Sequence, residues 1–230
     1  MSGDQNFLNI IPLTILPGVR LWPDCLDTAT QKSLVTAILR LAEIAPFYRP
    51  LMPNSGKPFS VEETNFGELG WVSDTNGYRY EKFHPQTREA WPAIPPLLLD
   101  LWASLTDHPS PPECCLVNLY RCGARMGLHQ DRDEAALDAP VLSVSLGDDA
   151  LFRIGGTTRR GATKSVRLRS GNVVVFGGPA RLAFHGIDRV IPTTSALIPG
   201  GGRINLTLRR VTASGPQRSA SHKKDARPGG

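Results

Sequence analysis

The chain has 230 residues, 40% hydrophobic and 20% charged, enough for one large domain or two small ones; one is expected. It holds no apolar run near the ~18–20 residues that span a bilayer, and its N-terminus lacks a charged segment followed by an apolar core; the expectation is a soluble cytoplasmic protein. The formal charge of +5 hints at a polyanionic partner, but residues 212–230 hold four Lys/Arg against one Asp, so the body carries little net charge and charge alone decides nothing. The Ser, Pro, Gly and Lys content of 212–230 predicts a disordered basic tail.

Residues 1–20 mix Pro and Gly with the short apolar runs Asn9-Ile10-Ile11 and Leu13-Thr14-Ile15-Leu16, which predict one or two edge strands. From Asp27 or Thr28 as N-cap, Leu34, Val35, Ile38, Leu39 and Ala42 recur on one helical face until Pro46 stops the run. A second helix is predicted over Leu97 to Leu105, between Pro95-Pro96 and Pro109, with Leu97, Leu98, Leu101, Trp102 and Leu105 on one side. The segment from Pro50 to Pro95 between them is rich in Gly, Asn, Thr and aromatic residues and lacks a long period. A stretch of that length is a functional lid or a set of short strands in a binding region.

After Pro112 the pattern is one of strands: Cys114 to Arg121, Val141 to Leu146, Leu151 to Ile154, Ser165 to Leu168, Val173 to Phe176, Arg181 to Phe184 and Arg203 to Val211, with Ser170-Gly171-Asn172 as a hairpin signal. Many short strands after a helical half, without a βα rhythm, predict an α+β protein with an antiparallel double sheet or jelly roll. The four cysteines form no CxxC pair and no zinc-type spacing, which fits a reducing compartment; at least one of Cys114 and Cys115 is expected to be a small buried hydrophobe.

His129 and Asp131, followed 54 residues after the aspartate by His185, supply two imidazoles and one carboxylate. That set suits a facial triad for Fe(II), with open positions for a cosubstrate and O2. On a strand the spacing of two would point His129 and Asp131 to one face, where a His from a distant strand can complete the site. Alone the pair is a weak signal, and a solvated loop pair is the plain alternative. Near the end of the chain Arg203, Asn205, Thr207 and Arg209 alternate with Ile204, Leu206 and Leu208, so one face of that strand is apolar and the other carries two guanidiniums. A solvent-facing polar side is the ordinary reading of such a strand. If the polar face looks inward instead, the arginines need anionic partners, and a dicarboxylate such as 2-oxoglutarate supplies two. Asn118 and Tyr120 share one face of the earlier strand, where an amide and a phenol could reach the same anion.

Taken in order, Leu69-Gly70-Trp71, Gly77-Tyr78-Arg79-Tyr80, Pro85-Gln86-Thr87, Trp91-Pro92, Asn118-Leu119-Tyr120, Gly123, Met126, His129-Gln130-Asp131-Arg132-Asp133-Glu134, Ser143-Val144-Ser145-Leu146-Gly147, His185-Gly186 and Arg203-Ile204-Asn205-Leu206-Thr207-Leu208-Arg209 resemble the AlkB family of Fe(II)/2-oxoglutarate dioxygenases. The resemblance covers about Phe47 to Arg209, and within the family it is to the bacterial nucleic-acid repair members. It implies a double-stranded β-helix (jelly roll) with two supporting helices and an N-terminal nucleotide-recognition lid. The expected organisation is a single domain over 1–211, with the lid at about 50–95 and the jelly-roll core at about 113–211.

By position, the resemblance assigns His129, Asp131 and His185 to iron. It assigns Asn118, Tyr120, Arg203, Asn205 and Arg209 to 2-oxoglutarate, with Arg203 and Tyr120 on the outer carboxylate and Arg209 near the one that chelates iron. Trp71, Tyr78 and Tyr80 would form the nucleotide lid, with Asp133 and Arg159 near the damaged base. An aromatic lid suits a base that must leave the stack, and Asp133 suits the exocyclic amine of a cationic methylated adenine or cytosine. For the three aromatics the plain alternative is a local core under a long loop. Two departures stand out: Phe176 replaces a tryptophan of the closest family pattern, and the loop from Thr157 to Thr163 differs, although Arg159 and Lys164 are kept. His84, His108 and His222 match no ligand position and read as surface or loop residues.

The implied activity is oxidative demethylation of N-alkylated bases such as 1-methyladenine and 3-methylcytosine, with Fe(II), 2-oxoglutarate and O2 as requirements and formaldehyde, succinate and CO2 as products. The expected partner is alkylated single- or double-stranded DNA, or RNA, met by a monomer with no membrane association. A second reading keeps the chemistry and changes the substrate to tRNA, protein or a small molecule. A third, a nucleic-acid-binding module with a structural metal, fits three ligands poorly, because structural sites close their coordination sphere.

Overall fold

The computed structural model of the chain describes residues 10–213. A hairpin of β1 (Leu13–Leu16) and β2 (Val19–Trp22) precedes helix α1 (Thr28–Ile44). Then come β3 (Glu62–Gly67), β4 (Gly70–Asp74), β5 (Gly77–Glu81) and helix α2 (Pro96–Leu105). Eight strands complete the fold: β6 (Cys114–Tyr120), β7 (Met126–His129), β8 (Val141–Gly147), β9 (Asp149–Gly155), β10 (Thr163–Leu168), β11 (Val173–Phe176), β12 (His185–Ile191) and β13 (Arg203–Arg209).

The order β1-β2-β11-β8-β13-β6-β3 makes a seven-stranded sheet, β10-β9-β12-β7 a four-stranded one, and β4-β5 a separate ribbon. All pairings are antiparallel. Alternation along the strands explains the layers. On β13 the apolar Ile204, Leu206 and Leu208 pack with Leu34, Val35 and Ile38 of α1 and Leu98, Leu101, Trp102 and Leu105 of α2, so both helices cover the outer face of the large sheet. On β11, Val173 and Val175 join that cluster, while Val174 and Phe176 turn inward to meet Phe152, Ile154, Leu168 and Ile187 of the small sheet. Two antiparallel sheets closed over an inner core, backed by two helices, are a jelly roll.

Local chemistry sets the ends of the elements. The Asp27 side chain accepts the Thr30 N–H at 2.7 Å, which caps α1, and Pro96 starts α2 where a missing N–H does no harm. Cys114 and Cys115 are both fully buried. The long segment before α2 is a set of short strands, of which β3 joins the edge of the large sheet and β4-β5 stand apart as a ribbon. At the N-terminus the strand is Leu13–Leu16; Ile10 and Ile11 lie before it, and Asn9 is outside the described residues.

Three expectations need correction. Ser170-Gly171-Asn172 does not close a hairpin, because β10 and β11 belong to different sheets. Gly171, at φ +84°, donates to Ser145 and accepts from Leu26, so the turn is spent on crossing between layers. Residues Arg181 to Phe184 are not a strand: Ala180, Arg181 and Ala183 donate back to Gly177, Gly178 and Ala180, which winds them into a turn, and β12 begins only at His185. His84 lies in a loop but is fully buried, its Nε2 2.8 Å from the Pro46 carbonyl and its Nδ1 accepting from Gln86 and Thr87. His222 and the basic tail from Ser214 onward lie outside the described residues.

Candidate active site

His129 closes β7 and His185 opens β12, and the two are direct cross-strand partners. Gly186 permits that approach: a Cβ there would stand 2.5 Å from the Met126 carbonyl. The strand ends at His129, so Asp131 lies two residues beyond it and not on the same strand. Its carboxyl nevertheless reaches the pair, with Oδ1 3.7 Å from His129 Nε2 and Oδ2 3.8 Å from His185 Nε2. The three donor atoms lie within 4.8 Å of one another.

Each imidazole has its Nδ1 at a backbone carbonyl, His129 at Gly127 (2.9 Å) and His185 at Ala183 (3.0 Å). That bond places the proton on Nδ1 and leaves both Nε2 lone pairs directed at the same point. Burial pushes the His185 imidazole down to about 4, with His129 adding to the shift, so it is neutral and able to ligate at neutral pH. Burial also pushes the Asp131 carboxyl up, but Arg209, both histidines and Arg181 outweigh it and hold the group well below the ordinary carboxylate range. Asp131 Oδ2 is buried without a hydrogen-bond partner among the described residues. Two imidazoles with their Nε2 atoms turned to one point and one ionised carboxylate with an uncommitted oxygen are the donor set that a divalent iron takes.

A cavity of about 340 Å³ opens from this point between the two sheets. Asn118 and Tyr120 of β6 and Arg203, Asn205, Thr207 and Arg209 of β13 line it, so the polar face of the last strand does look inward. The two arginines differ in their partners. Arg209 is committed, with Nη2 2.8 Å from Asp131 Oδ1 and Nη1 donating to Tyr80 Oη at 3.2 Å. Arg203 is fully buried and donates through Nη2 to Ser145 and Asn205, while its Nε and Nη1 have no hydrogen-bond partner among the described residues. A guanidinium in that state calls for an anion.

At the mouth of the cavity the Trp71 ring stacks on Tyr78 with centroids 5.4 Å apart and planes at 20°, and its Nε1 donates to Asp133 Oδ2 at 2.9 Å. Arg159 lines the same cavity, its guanidinium 5.8 Å over the Phe184 ring. Tyr80 is not among the lining residues: its hydroxyl is taken by Glu134 and Arg209. Phe176 packs on the back of His185 at 4.8 Å between ring centroids.

The periodicity did not single out the support around Asp131. Arg181, 3% exposed, donates to the Asp131 and Ala139 carbonyls and to Glu134 Oε2, tying the ligand loop to the turn before β12. Its signal lay hidden in a run that resembled a strand. Arg181→Ala is expected to lower stability by about 1–3 kcal/mol, since it leaves the buried Glu134 Oε2 and the Asp131 and Ala139 carbonyls without their donor, and to weaken metal binding about 10–100-fold. Urea denaturation and metal titration of the variant check both. Glu63 of β3 was missed as well: it is fully buried and lines the cavity from the sheet edge.

A profile of the 2OG-Fe(II) oxygenase superfamily matches residues 18–209. The Alpha-ketoglutarate-dependent dioxygenase AlkB homolog of Caulobacter vibrioides (strain NA1000 / CB15N) is 60% identical over 202 residues, covering 87% of this chain and 90% of that protein. The chain belongs to the AlkB family of 2OG-Fe(II) oxygenases. A second AlkB relative, the Alpha-ketoglutarate-dependent dioxygenase AlkB of Escherichia coli (strain K12), is 42% identical over 186 residues, 78% of this chain and 84% of that one. Among solved structures, that of OsALKBH1 superposes with a TM-score of 0.73 at 30% identity, over 87% of this chain and all of the other. As an AlkB-family dioxygenase, the chain requires Fe(II), 2-oxoglutarate and O2.

Proposed function

We propose that the protein removes N-methyl groups from 1-methyladenine and 3-methylcytosine in DNA or RNA by oxidative demethylation, as a repair enzyme for alkylation damage. The observation that carries the substrate is the Trp71–Tyr78 stack over the cavity with Trp71 anchored to Asp133, an aromatic and acidic frame for a flipped cationic base. In this reading His129, Asp131 and His185 hold iron. Asn118, Tyr120, Arg203, Asn205 and Arg209 hold 2-oxoglutarate, with the unpartnered Nε and Nη1 of Arg203 on its outer carboxylate. Trp71, Tyr78, Asp133 and Arg159 meet the nucleotide. Tyr80 supports them from below through Glu134 and Arg209.

Bound together, Fe(II), 2-oxoglutarate and O2 supply an oxidant able to take hydrogen from an N-methyl group. The protein's part is positional. Trp71 and Tyr78 clamp the base face, Asp133 accepts from its exocyclic amine and favours the cationic form, and Arg209 holds the Asp131 carboxylate toward the two Nε2 atoms. Phe176, Phe152 and Ile187 keep the inner wall apolar, which excludes water from the reacting methyl group. The hydroxymethyl product loses formaldehyde without a side-chain nucleophile.

We read the chain as one dioxygenase domain over 1–211 acting as a monomer in the cytoplasm on single- or double-stranded substrate. No helix among the described residues is long and apolar enough to cross a membrane. Incubation with Fe(II), 2-oxoglutarate and a methylated oligonucleotide should release formaldehyde and succinate in step. Succinate without loss of 1-methyladenine or 3-methylcytosine would move the substrate to another class. Asp133→Ala is expected to keep iron and lose about ten- to a hundredfold in kcat/KM on methylated bases, the worth of one hydrogen bond to a charged group. Unchanged rates on every lesion would remove its role.

A further inference from the structure

A row of polar side chains crosses the large sheet at its lid edge. Tyr48 and Glu63 exchange both backbone hydrogen bonds (3.0 and 2.7 Å), Glu63 lies opposite Asn118, and Asn118 opposite Asn205. Residues directly opposed in an antiparallel pair share a face and stand about 4.5–5.5 Å apart at Cβ, within reach of a side-chain rotation or one bridging water. Four buried atoms of this row have no partner among the described residues: Tyr48 Oη, Glu63 Oε1 and Oε2, and Asn118 Oδ1.

Counting donors decides the state of Glu63. Ionised, it would leave three acceptors of this row against one donor within it, the Tyr48 hydroxyl, while the nearby unpartnered Arg209 Nε lies 3.6 Å from Glu134 Oε1 as that residue's counter-charge. With its proton kept, the count closes: Tyr48 donates to one carboxyl oxygen, and the other donates its O–H to Asn118 Oδ1. The neighbouring charge agrees. A carboxylate beside Asn118 would repel a dianionic cosubstrate drawn in by Arg203.

We propose that Glu63 is a positioning residue of the 2-oxoglutarate pocket: as a neutral acid it donates to Asn118 Oδ1 and so turns the Asn118 N–H₂ toward the cosubstrate. The groups that face it are Tyr48 from the segment before β3, Asn118 and Tyr120 on β6, and Arg209 on β13. Burial pushes the Glu63 carboxyl up to about 8, against a weaker pull from Arg209, so the proton is held at neutral pH and lost on the alkaline side. The unfolded chain ionises this group near its ordinary value of 4.5. The folded form therefore binds more protons between those values, and stability declines across that window as pH rises.

The inference rests on the assignment of Asn118 to 2-oxoglutarate proposed above and not on the identity of the base. With Mn(II) in place of iron to prevent turnover, 2-oxoglutarate binding is measured by calorimetry from about pH 6.5 to about 9. The wild-type Kd is expected to rise about tenfold as pH passes the Glu63 value, the worth of one hydrogen bond. Glu63→Gln, whose amide still donates to Asn118, should bind like the wild type at the acid end and stay flat. Glu63→Leu should bind about tenfold more weakly at every pH. An infrared band of a protonated carboxyl should be present in the wild type at neutral pH and missing in Glu63→Gln. The urea midpoint of Glu63→Gln should gain on the wild type between the two pKa values.

Parallel pH profiles for wild type and Glu63→Gln would overturn the proposal. So would a Glu63→Gln effect confined to affinity for a methylated oligonucleotide, which would make Glu63 a charge partner of the base. An Asn118→Ala protein that binds 2-oxoglutarate normally would remove the assignment beneath it, a failure recognisably different from the first two.

Discussion

Asp131→Ala is expected to leave the protein unable to hold iron, with affinity down by at least about 100-fold, since changes one shell further out already cost roughly 10–100-fold. The carboxyl lies between the two imidazoles, and its second oxygen has no hydrogen-bond partner among the described residues. Turnover of 2-oxoglutarate should fall with the metal. The fold should survive, because Arg209 keeps Glu134 as a counter-charge, its Nε 3.6 Å from Oε1. Metal content after dialysis, succinate release and the urea midpoint measure the three effects separately. Stoichiometric iron in this variant would remove the triad reading altogether.

Arg203→Ala should spare iron and remove the cosubstrate. The guanidinium is fully buried with two donors uncommitted, over the Tyr120 ring at 5.3 Å. Breaking a buried ion pair costs about 3–5 kcal/mol, which corresponds to roughly a 150- to 5000-fold weaker Kd for 2-oxoglutarate. Arg203→Lys should recover only part of this, because an ammonium lacks the planar fork that binds a carboxylate by two bonds. Calorimetry on the Mn(II)-loaded protein gives both values. A Kd within about threefold of the wild type for Arg203→Ala would place the outer carboxylate elsewhere.

Much of this architecture is legible residue by residue. The spacing of Leu34, Val35 and Ile38 after Asp27, and of Leu98, Leu101 and Trp102 after Pro96, marks two helices with one buried face each, because side-chain direction on a helix repeats with a fixed period. The alternation from Arg203 to Arg209 marks a strand with a polar face for the same reason. What the pattern failed to show has local causes. Residues 62–67, Glu-Glu-Thr-Asn-Phe-Gly, have no apolar alternation, yet they form a buried strand because the face of Glu63 looks into the cavity. Leu182, Ala183 and Phe184 are apolar like a strand, but Arg181 must reach three partners at once, and a turn allows that where an extended chain would not.

By itself the sequence determined the donor types, His, Asp and His, their order, and that Asn118 shares a face with Tyr120 and Arg203 with Arg209, since all of these follow from side-chain chemistry and a period of two. Only the tertiary structure decided which charges are spent and which remain. Arg209 is neutralised by Asp131, Arg203 is left with open donors, Tyr80 is drawn away from the cavity by Glu134, and Glu63 is brought beside Asn118. Pairings of this kind join residues far apart in the chain, and they depend on which strands become neighbours, a choice made by the packing of both sheets and both helices together.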